Sequence, residues 1–378
     1  MIETPGIIWS ILFFALAIAP LIFIHEMGHY LVGRWCGVKA EVFSIGFGKS
    51  IAKWTDKRGT RWQIGWMPLG GYVRFAGDMT AASEPTAEWL SLPPEERNRT
   101  FQAKPVWQRA LIVLAGPATN FLFAIVVFVG LFSFYGEPRV DPVIGSVVAG
   151  SAAAEAGLKP GDRIVAIDGN AISRYDQIAM IVQVRANQPT IFSIQRTGQN
   201  GVSGIDVSVT PKAQKVDNPG GEPVILGRAG IMSGPIRLVK LKPWELPGAA
   251  VKFTGQAVGG MITGLKQIIV GQRSVNELGG PVKMARISGE VAMGTPIQFL
   301  FFMTMISINL GFINLLPIPT LDGGHLVFYA AEAVRRKPVG LRAQEWAFRS
   351  GLVLLLAFML FVTVNDLGLW NRLAGLIG

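Results

Sequence analysis

One cysteine, three histidines and a 16% share of charged residues are what this 378-residue chain has little of. The lone Cys36 excludes an internal disulfide framework and any cysteine-based zinc site, and it leaves the redox compartment open. Acidic residues are outnumbered, 25 against 35 Lys and Arg, giving a net charge of +10 and a pI near 9.9. The basic residues are nevertheless dispersed and flank apolar runs, and no basic motif of the nucleic-acid-binding kinds occurs. That excludes nucleic acid as a partner and suits anionic lipid headgroups. No basic stretch precedes the first apolar run and no small-residue cleavage site follows it, so a retained membrane helix is expected there rather than a signal peptide.

The scarcity of charge has its counterpart in a mean hydropathy of +0.40, with half of all residues hydrophobic, too apolar for an ordinary soluble enzyme. Four segments are long enough to cross a hydrocarbon core of about 30 Å at about 1.5 Å per residue, namely Ile7–Val32, Val106–Tyr135, Pro296–Leu316 and Trp346–Leu369. Residues 34–109 carry 12 Lys/Arg and residues 326–349 carry 5, whereas residues 1–24 carry none. The positive-inside rule therefore places segments 34–105 and 326–345 in the cytoplasm and residues 136–295 on the other side.

Between the second and third spans the composition turns soluble. GSVVAGSAAAEAGLKPGDRIVAIDGNAI, residues 145–172, predicts a strand, a short Ala-rich helix, a Pro-Gly turn, a second strand and an Asp-Gly hairpin. A Pro/Gly-rich linker is expected at 217–235. Trp244–Val270, with spaced apolar residues and Lys252 and Lys266, predicts an amphipathic helix lying on a membrane surface or packed on the neighbouring domain. RWQIGWMPLGGYVRFAG, residues 61–77, alternates apolar positions on both sides of Pro-Leu-Gly-Gly and predicts a β-hairpin.

The chemistry is concentrated in IFIHEMGHYLVG, residues 22–33, where His25, Glu26 and His29 form H-E-x-x-H inside an apolar run. On a helix, positions i and i+4 share a face, so both imidazoles can meet one Zn²⁺ while Glu26 stands close enough to activate a water. Two helix-end histidines satisfied by headgroups would be the bland account, but His25 lies well inside the run, where an unpaired ionisable group costs several kcal/mol. A catalytic zinc usually has three protein ligands. Asp322 in LLPIPTLDGGH, residues 315–325, is the better third, because Pro317 and Pro319 interrupt the helix before it and free the backbone to turn a carboxylate inward. An ordinary turn at a membrane exit would also explain LDGG. His325 is expected beside the site rather than on the metal. Counting residues places His25, Asn120 of GPATN and Asn314 at similar depths, with Gly116 allowing close helix approach. Either asparagine could serve only as helix–helix glue.

HEMGH, GPATN and NLLPIPTLDGGH in successive membrane segments resemble the site-2 protease family, in its bacterial branch like the regulator of sigma-E protease. Residues 138–212, with A-x-x-A-G-L-x-x-G-D-x-I-x-x-I-D-G, resemble a PDZ domain of the bacterial protease type; only one copy is present, where some relatives have two. The resemblance implies a polytopic α-helical membrane protein of about four transmembrane helices, with an inserted α+β PDZ domain and a membrane-associated β-hairpin at 61–77, beside a GFG loop at 46–48. It implies intramembrane zinc metalloproteolysis, with His25, His29 and Asp322 as ligands and Glu26 as general base. Asn314, Pro317 and Asn120 are expected near substrate. Single-pass membrane proteins such as anti-sigma factors or remnant signal peptides would be the substrates, in a bacterial inner membrane with the PDZ domain outside and the site near the cytoplasmic face. A non-enzymatic PDZ scaffold and a prenyl-protease-type zinc peptidase are the competing functions.

Overall fold

The computed structural model describes residues 6–77, 93–198, 201–216, 224–271 and 279–367. Four of its helices are long and apolar enough to cross a membrane: α1 (Ile7–Trp35), α3 (Val106–Tyr135), α8 (Pro296–Asn314) and, within α10 (Leu341–Asp366), the stretch Arg342–Asp366. Each coincides with an expected span to within a few residues, and the last two residues of the expected fourth span lie outside the described ones. A short helix α2 (Pro94–Arg97) precedes α3. The chain divides into two compact units.

In the first unit, α1 packs on α7 (Pro281–Ala292) and α8, with Ala17, Leu21 and Ile306 buried at that contact. Helix α8 opens on a Thr295–Gln298 capping box, and it stops at Asn314, beyond which Leu315–Leu321 form turns. Helix α9 (Asp322–Arg335) then begins at the carboxylate singled out above.

The strands β1 (Ala40–Thr55) and β2 (Arg61–Phe75) pair with each other twice over, which corrects the expected hairpin at 61–77. Val42–Ile45 of β1 lie between the two arms of that stretch, facing Gly71–Arg74 on one edge and Arg61–Ile64 on the other. The true tight connection lies earlier, at Asp56–Thr60, where Asp56 Oδ1 accepts the Arg58 and Thr60 N–H groups and Gly59 takes φ +81°. Alternation identifies a strand but not its neighbour. The choice here follows aromatic packing, since Phe43 stacks on Trp62 with ring centroids 4.4 Å apart and both meet Tyr30 of α1.

The second unit holds β3 (Glu137–Val140), β4 (Ile144–Val147), α4 (Ala152–Glu155), β5 (Arg163–Ile167), β6 (Asn170–Ala171), α5 (Tyr175–Gln183), β7 (Thr190–Gly198) and β8 (Gly201–Val209). A four-stranded sheet of order β6-β5-β7-β8 covers a buried cluster that includes Ile164, Ile167, Phe192, Ile194 and Val209. The chain does not leave this unit near residue 212, where a domain boundary was expected. Strands β9 (Lys212–Val216) and β10 (Val224–Arg228) pair with each other, β11 (Ile231–Ser233) pairs with β4, and β12 (Ile236–Val239) pairs with β3. The described part of the expected linker, 224–235, is therefore largely strand: Ala229 joins the buried cluster, and Gly227 and Gly230 serve close packing rather than flexibility. Residues 217–223 lie outside the described ones. Helix α6 (Leu246–Ile269) follows, matching the expected amphipathic helix.

Candidate metal centre

His25 and His29 sit one turn apart on α1, both turned toward α3. The stripe Ile112, Gly116 and Asn120 of α3, spaced by four residues, receives them. The Ile112 carbonyl lies 2.8 Å from His29 Nδ1, which must donate to it and so leaves Nε2 with a lone pair. The Asn120 amide lies 3.1 Å from His25 Nδ1, and its Oδ1 is buried without a partner. Turning that amide over makes Oδ1 the acceptor of His25 Nδ1–H, satisfies the orphan atom and frees His25 Nε2 as well. Gly116 has no room for a side chain, because a Cβ would overlap both imidazoles.

Asp322 completes the group. It opens α9, where the helix dipole favours a carboxylate, and Gly323 lets this turn press against the Leu315 and Leu316 carbonyls closely enough that a Cβ would collide with them. His25 Nε2 and His29 Nε2 are 3.2 Å apart, and Asp322 Oδ2 lies 3.2 and 3.5 Å from them. Donors about 2.0–2.1 Å from a tetrahedral ion stand roughly 3.3 Å apart, so this set fits zinc. Asp322 Oδ2 is buried with no hydrogen-bond donor, which is an atom awaiting a cation.

Glu26, buried, faces the same cavity of about 340 Å³ as the three ligand candidates. Gly71 and Val73 of β2 line it too, the Gly71 backbone lying against the Glu26 side chain. All four residues expected for chemistry are thus brought together. Asn314 lines the cavity, with its Nδ2 donating to the Leu310 carbonyl at 3.0 Å. Pro317 is exposed and outside the cavity lining. Asn120, expected near substrate, is instead fully buried against His25, because the helical face it occupies looks at α1 rather than into the cavity. His325 lines the cavity while its ring packs 4.9 Å from that of Phe348.

Sequence reasoning missed the supporting pair Arg109–Glu332. Arg109 Nη2 donates to Glu332 Oε1 at 2.6 Å and its guanidinium lies 5.0 Å from the Tyr329 ring, fastening α9 to α3. The signal was present, since Arg109, Ile112, Gly116 and Asn120 follow helical spacing along one face.

The family model for peptidase family M50 matches residues 13–358. The chain is 41% identical to the "Putative zinc metalloprotease" of Agrobacterium fabrum over 370 residues, which is 97% of this chain and 96% of that relative. A protein of the same description from Rhizobium meliloti is 42% identical over 359 residues, covering 94% and 95%. Metalloprotease MmpA of Caulobacter vibrioides is 38% identical over 378 residues, 94% of each chain.

Proposed function

The chain belongs to peptidase family M50 and is a zinc metalloprotease of the site-2 protease kind, with several membrane-spanning helices; we propose that it cleaves transmembrane segments of single-pass membrane proteins inside the bilayer. The observation that carries this reading is that His25, Glu26 and Asp322 meet in one cavity although the first two lie within a span. Metalloprotease membership removes the non-enzymatic scaffold, and a third ligand at Asp322 rather than at a later helical histidine disfavours the prenyl-protease kind.

His25, His29 and Asp322 would hold the zinc, which when bound polarises the scissile carbonyl and acidifies a water. Glu26 takes the proton of the attacking water and delivers it to the leaving amine. Asn120 and the Ile112 carbonyl hold the imidazoles in the tautomers that present Nε2. A helical substrate must unwind before its carbonyl is accessible. The Gly71–Val73 segment, beside Glu26, suits capture of the extended form by strand addition, with Asn314 at the cavity wall. Glu26→Gln should retain zinc and fold while losing about 10²–10⁴-fold in cleavage rate. Turnover near the wild-type value would defeat the assignment.

The region from residue 137 to 239 acts as a PDZ domain outside the cytoplasm that excludes substrates with bulky external parts. Anti-sigma factors or signal-peptide remnants, trimmed beforehand, fit this arrangement in a bacterial inner membrane, with the site nearer the cytoplasm. Because β11 and β12 return to β4 and β3, a clean removal must span 137–239. That deletion should leave trimmed substrate cleaved and make untrimmed substrate cleavable; loss of trimmed-substrate cleavage with normal zinc content would favour a recruiting role.

A further inference from the structure

Just past the end of the second span, the second unit carries a basic cavity with exposed aromatic side chains next to it in the chain. Helix α3 ends at Tyr135, Gly136 turns the chain at φ +96°, and β3 begins at Glu137. Side chains of β3 therefore stand within a few residues of a membrane boundary, at headgroup level. Lys240 binds the Phe134 and Ser133 carbonyls, satisfying the open end of α3 from β12's side of the ribbon.

The cavity, about 470 Å³, is lined by four basic residues, Arg139, Arg174, Lys240 and Lys252, against two acidic ones, Glu137 and Glu245. Both carboxylates are engaged: Arg139 Nε donates to Glu137 Oε2 at 2.6 Å, and the Lys242 N–H donates to Glu245 Oε2 at 2.9 Å. Lys252, by contrast, forms no ion pair among the described residues. The lining thus has an excess of two positive charges, one of them uncommitted. Beside lining residues, Phe134, whose carbonyl Lys240 binds, is 77% exposed, and Trp244, the chain neighbour of Glu245, is 74% exposed. Trp is a residue that collects at membrane interfaces, whereas Ile236 and Leu238 share the face of β12 opposite the cavity-lining Val239.

We propose that this cavity binds the phosphodiester headgroup of an anionic membrane phospholipid, with its acyl chains lying toward Phe134 and Trp244. A free phosphate would satisfy the cations but would leave Phe134 and Trp244 without a partner beside the end of a spanning helix, which is why the lipid is the source argued for. The inference needs only that α3 spans the membrane, and it stands independently of the proteolytic reading.

The test uses the full chain reconstituted in phosphatidylcholine nanodiscs doped with phosphatidylglycerol, with bound lipid counted by native mass spectrometry. Wild type should retain phosphatidylglycerol in preference to phosphatidylcholine. Lys252→Gln should lower that retention roughly fivefold, the equivalent of about 1 kcal/mol per basic residue at a membrane surface. Lys266→Gln, on the same helix but away from the cavity, should leave it unchanged, and normal zinc content certifies that each variant is folded. Inorganic phosphate should not displace the lipid. No preference in wild type, equal effects of the two lysine substitutions, or displacement by phosphate alone would each overturn the proposal.

Discussion

The two units use polar groups in opposite ways. In the spanning helices, apolar side chains such as Leu360 face outward at 66% exposure, while His25, Glu26, Asn120 and Ser307 are buried. In the unit around β4–β8 the pattern is that of a water-soluble domain, with Phe192 and Ile164 inside and charges outside. Its buried carboxylate, Asp162, is satisfied by Arg196 through two hydrogen bonds of 2.7 Å and by the Lys159 N–H at 2.8 Å. The buried ionisable groups of the first unit, His25 and Glu26, face a reactive cavity, whereas Asp162 of the second is paired off to hold a loop. Where lipid is the solvent, an interior polar group marks function; where water is, it marks architecture.

The sharpest way to break this contrast is Gly116→Val. The added carbons would enter the space of both imidazoles, so zinc content and proteolysis should fall to background by metal analysis and substrate cleavage. Amide exchange protection in residues 144–209 should stay at the wild-type level. Full zinc occupancy in that variant would mean the imidazoles do not meet against α3.

A smaller effect is expected from Arg109→Leu. Both partners of the Arg109–Glu332 pair are largely buried, so leaving Glu332 alone should cost toward the lower end of roughly 3–5 kcal/mol in thermal unfolding and weaken zinc retention by releasing α9. The double variant Arg109→Leu, Glu332→Leu should recover much of the loss. If it does not, the pair positions nothing and Tyr329 packing alone holds α9.

The mildest effect concerns acid. Burial favours the neutral form of Asp162, but the Arg196 hydrogen bonds and charge hold its carboxyl below the ordinary value. A carboxylate lowered in the folded state contributes stability above the unfolded pKa of about 3.9 and loses it as pH falls through the folded value. Asp162→Asn should therefore cost about 2 kcal/mol at neutral pH and flatten the acid dependence of amide exchange in residues 144–209. An unchanged acid profile would remove Asp162 from that role.

The linear chain determined by itself whatever depends on local spacing and on solvent. Long apolar runs can only be spanning helices. His25, Glu26 and His29 share a helical face because α-helices repeat every 3.6 residues, and Pro317 and Pro319 end α8 before Asp322 can be drawn into it. Everything that required knowing a neighbour was decided by the tertiary structure. Alternation in residues 61–77 could not reveal that Val42–Ile45 would come between its arms, and glycines at 227–234 looked like a linker until β4 and α5 packed against them. Depth along α3 placed Asn120 at the level of His25, but only the packing of α3 on α1 turned its amide onto the imidazole and away from the cavity. Helical period sets which residues share a face, and the face chosen for burial is set by long-range packing that no window of sequence contains.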